Sequence, residues 1–200
     1  MISGPGQLQQ RADQARGDFY GPRVRIGVGV GTCGLANGAG EVLASLRETV
    51  ASMKLDYIVH GAGCVGYCEV EPLVDVLWPG LPRVFYHKVT PVRARELVGA
   101  LAAGDFHPDW ALMRMDTDAL LADLPRPLDG ALDGLSKTPT VAEVPFYSRQ
   151  MKIALRNCGF IDPHNVDEYL ATGGYAALAK VLTSMSPEEI IATVEAAGLR

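Results

Sequence analysis

Over residues 23–30 apolar positions alternate with polar or glycine ones, the period of a half-buried β-strand. Gly31, Thr32, Cys33 and Gly34 break that alternation. Residues 38–54 then place Val42, Leu43, Leu46, Val50 and Met53 on one helical face. A short second strand is predicted over 56–60, followed by a loop over 61–71 rich in glycine and cysteine. Two more strands are predicted over 73–78 and 83–87, joined by Pro79-Gly80-Leu81-Pro82, a turn signal. Thr90 and Pro91 open a helix as its cap and first residue, with Ala94, Leu97, Val98 and Leu101 as the buried stripe. The order β-α-β-β-β-α over 23–103 defines an α/β unit.

The flanks differ in character. Residues 1–22 form a polar arm, helical over 7–16. Residues 104–145 carry Pro108, Pro125, Pro127, Pro139 and Pro145 together with Gly130 and Gly134. They are expected to be a linker with one short helix around 117–123. Residues 146–200 are expected to be a small helical region, beginning with a basic stretch over 148–156. Asn165 and Glu168 suit the cap of a helix to 171, and Gly173-Gly174 stops it. Another helix is predicted over 175–184. Ser186-Pro187-Glu188-Glu189 then starts a last one, with Ser as cap, Pro first and Glu third. The proline-rich stretch implies that 146–200 packs separately from the α/β unit.

Composition narrows the function. A net charge of −5 excludes the basic face that nucleic-acid binding requires. Four cysteines in 200 residues are too few for a disulfide scaffold. No apolar run reaches the ~18–20 residues of a membrane span, and 1–17 has no signal-peptide core. The expectation is a cytoplasmic protein whose cysteines are reduced or bound to metal. His60, His87, His107 and His164 form no local hydrolytic motif with a Ser or Asp.

The chemistry lies in Cys33, Cys64 and Cys68, all in loops of the α/β unit. Cys64 and Cys68 bring two thiols within reach of one metal centre, and Gly61, Gly63 and Gly66 let backbone N–H groups turn toward sulfur. The loops after the first and second strands open on one sheet edge, so the three sulfurs are expected to converge there, within about 10 Å, as an iron–sulfur or zinc site. His60 is either a fourth ligand or a strand-end histidine facing solvent. Cys158 could also be counted as a ligand, but it lies beyond the proline-rich stretch and reads as structural packing. Gly29, Gly31 and Gly34 match dinucleotide-loop spacing, but no acidic residue is well placed to take a ribose unless Asp56 or Glu69 does so.

Gly31-Thr-Cys-Gly-Leu-Ala-Asn-Gly-Ala39, Gly63-Cys-Val-Gly-Tyr-Cys-Glu-Val-Glu-Pro-Leu-Val74 and Pro82-Arg-Val-Phe-Tyr-His-Lys-Val-Thr-Pro91 resemble the thioredoxin-like [2Fe–2S] ferredoxin family. Ser148-Arg-Gln-Met-Lys-Ile-Ala-Leu-Arg-Asn-Cys-Gly-Phe-Ile-Asp-Pro163 and Gly173-Gly-Tyr-Ala-Ala-Leu178 resemble the start of the flavin- and NADH-binding subunit of complex I and of NAD-linked hydrogenases and formate dehydrogenases. The resemblance covers roughly 23–103 and 145–200. It implies a thioredoxin-like ferredoxin domain over 23–103, a [2Fe–2S] cluster on Cys33, Cys64 and Cys68, and partners among the subunits of an NAD-linked redox complex.

The chain departs from the family pattern at two places. The first cysteine pair of the ferredoxins is separated by four residues, and the position five before Cys33 is Val28, which cannot ligate iron. In the flavin-binding family an FMN loop follows the equivalent of residues 198–200. FMN, NADH and a [4Fe–4S] cluster are therefore expected only in a continuation beyond this chain, with no FMN or NADH site in the chain itself. Three readings follow from the sequence: an electron-transfer module carrying or formerly carrying a [2Fe–2S] cluster, a cluster-free docking or assembly module, and a thiol redox domain with Cys33 at a helix start.

Overall fold

The computed structural model describes residues 4–116 and 134–198, in two compact units, residues 20–165 and residues 1–19 with 166–200. The larger is a mixed α/β unit. Its elements are β1 (Arg25–Gly29), α2 (Thr32–Ala36), α3 (Ala39–Ser52), β2 (Ile58–Ala62), β3 (Val74–Leu77), β4 (Arg83–Tyr86), α4 (Pro91–Ala102) and β5 (Ala111–Met115), counting the helix α1 (Pro5–Phe19) before them. The strands form one sheet in the order β2-β1-β3-β4-β5. β1 and β2 run parallel, with Gly29 opposite Ala62, and β3, β4 and β5 are each antiparallel to the strand before them in the sheet. Parallel β1 and β2 joined through a helix, then an antiparallel pair and a closing helix, make the thioredoxin-like order expected from the sequence.

Alternation decides which face goes where. Ile26, Val28, Val74, Val76, Val84 and Tyr86 are buried in one core with Val42, Leu46 and Val50 of α3 and Leu97, Val98 and Leu101 of α4. The opposite face is also buried, but it is part polar. Asp75 and Arg83 form an ion pair there with side-chain exposures of 5% and 1%. Phe160 lies edge-on to Phe85 at 6.0 Å, and the Arg83 guanidinium sits 5.4 Å from the Phe160 ring.

Thr90 caps α4 as expected, its hydroxyl accepting from Arg93 N–H at 3.3 Å ahead of Pro91. Thr90→Ala removes that acceptor and should cost about 1 kcal/mol. The check is a lowered urea midpoint at unchanged slope, followed by Trp78 and Trp110 fluorescence, since both tryptophans lie in this unit.

Several expectations need correction. The stretch read as a linker carries β5, paired to β4 through Arg83↔Met115 and Phe85↔Met113. Leu112, Met113 and Met115 are too short an apolar run to announce a strand alone, and pairing with β4 supplies the rest. The helix expected around 117–123 lies outside the described residues. Residues 146–165 form turns rather than a helix and group with the sheet. Met151, Ile153 and Leu155 recur there at a spacing of two, which gives no helical stripe, and all three are exposed.

The smaller unit holds α1, α5 (Val166–Ala171), α6 (Ala176–Ser184) and α7 (Pro187–Ala196). α1 packs against α5 and α6, with Arg11 gripping the Asp167 carboxylate at 2.6 and 3.2 Å. α7 starts with the predicted capping box: Ser186 Oγ accepts from Glu189 N–H at 3.3 Å, and Glu189 accepts from Ser186 N–H at 2.7 Å. No helix among the described residues is long and apolar enough to cross a membrane.

Candidate metal centre

The sheet topology brings the cysteine loops together. β1 and β2 end side by side, and β3, antiparallel to β1, begins at the same edge. Val30 N–H donates to Ala62 O at 2.9 Å and Gly29 N–H to Leu73 O at 3.0 Å, tying the three chain segments at that edge. Cys33 follows β1 in the first turn of α2, and Cys64 and Cys68 lie between β2 and β3. Asn37 closes α2 by donating its side-chain amide to Cys33 O at 2.8 Å.

Gly34 lets α2 sit against the end of β1, because a Cβ there would lie 2.0 Å from Gly29 O. Glycine at 29 leaves room for a carboxylate. A Cβ there would stand 3.0 Å from Glu71 Oε1. These glycines therefore serve close packing of backbone and side chain, which is the structural alternative to the dinucleotide-loop spacing they also match.

The sulfur of Cys64 lies 3.8 Å from that of Cys68, and Cys33 stands in the first turn of α2 at the same end of the sheet. Two thiolates on one tetrahedral metal with bonds of ~2.3 Å lie about 3.8 Å apart, so Cys64 and Cys68 already have the separation of a chelating pair. Gly66 N–H points at Cys64 Sγ at 3.2 Å. Burial pushes the Cys64 thiol above its ordinary pKa, against the Gly66 hydrogen bond, with Cys68 and Glu71 adding to the rise. Cys68 is also raised, first through its hydrogen bond with Cys33. Thiols held protonated are poor nucleophiles, and a metal binding them must displace their protons. No three His, Cys, Asp or Glu side chains among the described residues are grouped for a single ion. A two-iron cluster divides its protein donors between two irons, and a chelating pair is half of such a set.

Two residues outside the three-cysteine set reach this edge: Glu71, which the sequence does not single out, and Cys158, which it reads as packing. Glu71 is 5% exposed, with Oε2 accepting Leu73 N–H at 2.7 Å. Its signal in the sequence is a charge set between Val70 and the apolar run from Pro72 to Val74. Cys158 is half-buried and donates its thiol to Cys64 O at 3.2 Å, so its packing is against the loop that carries Cys64 and Cys68. The same segment clasps that loop elsewhere. Lys152 donates to Val65 O, and Phe146 stacks on Tyr67 at 4.3 Å with planes 7° apart. His60 is 3% exposed within β2, opposite Gly27, which corrects the solvent-facing alternative. Val28, at the position where the ferredoxin pattern has a cysteine, is fully buried in the core.

Fold and edge together define a thioredoxin-like α/β unit with three thiols and a buried carboxylate gathered at one end of the sheet. Its relatives are redox proteins. The chain is similar to the NADP-reducing hydrogenase subunit HndC of Solidesulfovibrio fructosivorans, 56% identical over 52 residues, which are 26% of this chain and 10% of that subunit. It is 34% identical over 74 residues to subunit HndB of the same organism, covering 36% of this chain and 59% of HndB. The matches thus span less than two thirds of either relative. Two structures of a thioredoxin-like [2Fe–2S] ferredoxin from Aquifex aeolicus are also similar. One is 20% identical with a TM-score of 0.41, covering 47% of this chain and 94% of the ferredoxin, and the other 20% identical with a TM-score of 0.40, covering 46% and 98%. No protein-family model matches the chain.

Proposed function

We propose that the chain is an electron-transfer module of a multi-subunit NAD(P)H-linked oxidoreductase, with Cys33, Cys64 and Cys68 holding a [2Fe–2S] cluster. The observation that carries this reading is the Cys64–Cys68 sulfur separation of 3.8 Å beside a third thiol at one sheet edge. The hydrogenase relatives support the redox setting and the choice of other subunits as partners. The reading places the protein in a reducing cytoplasm, where thiols persist.

When bound, such a cluster stores and passes single electrons. The chain's own part is to hold it and set its potential. Cys64 and Cys68 chelate from a loop whose backbone is clasped by Lys152 and Cys158. Gly66 N–H, donating to Cys64 Sγ, stabilises negative charge on sulfur and so favours the reduced state. The second reading, a cluster-free docking module, draws on Val28, which leaves the family's four-cysteine pattern one short.

Iron and acid-labile sulfide analysis of anaerobically purified protein separates the two. The electron-transfer reading expects two iron and two sulfide per chain, with visible sulfur-to-iron charge-transfer bands that bleach on reduction. Metal-free protein that also refuses iron and sulfide under reconstitution would leave only the docking reading.

A further inference from the structure

We infer that the Glu71 carboxylate is the fourth protein ligand of this centre, completing a set of three thiolates and one carboxylate. The inference rests on the cluster proposed above and names the donor that the cysteine count leaves open.

The carboxylate lies at the sheet edge where the thiols gather. Its oxygens stand 3.0 and 3.1 Å from where a side chain at position 29 would begin, and Oε2 is 3.3 Å from the same point at position 34, next to Cys33. Oε2 is used by Leu73 N–H, while Oε1 is buried with no hydrogen bond of ordinary geometry. A buried carboxylate oxygen left without a partner is costly unless something cationic occupies its free side. Bound iron supplies the missing positive charge.

The alternatives are differently engaged. Val28 is apolar and faces the core. The Cys158 thiol is turned to Cys64 O, where it braces the loop's backbone. His60 stands in mid-strand opposite Gly27, two strand positions before the end of β2. With Cys64 and Cys68 as one chelating pair, Cys33 and Glu71 form the other. Exchanging a thiolate for a carboxylate keeps the ligand charge of a four-cysteine site, because both are monoanions, but puts a hard oxygen on one iron.

The experiment compares wild type with Glu71→Ala, Glu71→Cys, Cys158→Ser and His60→Gln after anaerobic reconstitution with iron and sulfide. Iron content, visible spectrum and the electron paramagnetic resonance of the reduced state are the readouts. Glu71→Ala should retain at least about tenfold less iron. Glu71→Cys should keep the full complement with shifted charge-transfer bands and g values, which a merely structural role at position 71 would not produce. His60→Gln should leave the spectrum unchanged, and Cys158→Ser, which alters the brace on the loop, should lower iron content less than Glu71→Ala does and leave the band positions where they are. A Glu71→Ala cluster with the wild-type spectrum overturns the assignment alone, as does a Glu71→Cys spectrum identical to wild type. Loss of the cluster in Cys158→Ser or His60→Gln with retention in Glu71→Ala moves the fourth ligand there. Wild type that takes up no iron overturns the cluster reading and this ligand with it.

Discussion

Arg83→Met should destabilise the α/β unit by about 3–5 kcal/mol, the usual cost of stranding one half of a buried ion pair. The guanidinium is 1% exposed and the Asp75 carboxylate 5%, so removing the cation leaves an anion in a site that water scarcely reaches. Methionine fills much of the arginine stem's volume, which keeps the cavity contribution small. Asp75→Leu alone should be similarly costly, now for the guanidinium. The double variant Asp75→Leu/Arg83→Met should return to within about 1 kcal/mol of wild type or exceed it, since apolar packing often matches a buried pair. Urea denaturation followed by Trp78 and Trp110 fluorescence measures all three on the unit that contains the pair. A single-variant cost below about 1 kcal/mol would mean that the pair behaves as an exposed one.

Gly34→Ala should be the most damaging single-methyl change near the metal centre. The new Cβ would start 2.0 Å from Gly29 O, a backbone atom that has no rotamer by which to escape. Either α2 lifts from the end of β1 or β1 shifts out of register, and both displace Cys33. The expected result is about 1–3 kcal/mol of lost stability from overpacking and at least about tenfold weaker iron retention. Gly40→Ala is the control. It lies in α3 with only ordinary contact, 3.9 Å to Leu35 Cδ2, and should stabilise by about 0.5–1 kcal/mol with iron unchanged. Equal iron in the two variants would show that the seating of α2 does not position Cys33.

The order of the α/β unit was legible because each element announces itself locally. Val42, Leu46 and Val50 recur at helical spacing, Thr90-Pro91 stands directly before an apolar stripe at helical spacing, and the strand residues alternate around their glycines. The cysteine edge was legible for the same reason, once two parallel strands were expected to end together. β5 was not, because it is five residues that become a strand through pairing with β4. Residues 146–165 were misread as helix because their role is set by distant partners. Phe146 lies on Tyr67, Lys152 binds Val65 O, and Phe160 covers Arg83. Glu71 stands three residues after Cys68 in the sequence, yet only burial distinguishes it from the exposed Glu69.

The clasp on the cysteine loop also sets an order of events during synthesis. Cys33, Cys64 and Cys68 leave the ribosome well before Lys152 and Cys158, the residues that brace their loop. At roughly 5–20 residues per second, that interval is on the order of 5–20 s. For that time the thiols exist on a strand edge with nothing holding the loop from the far side. A cluster-delivery protein would meet the site open during this window and closed after it. The same clasp would then slow the exchange of any metal held on the loop in the mature protein.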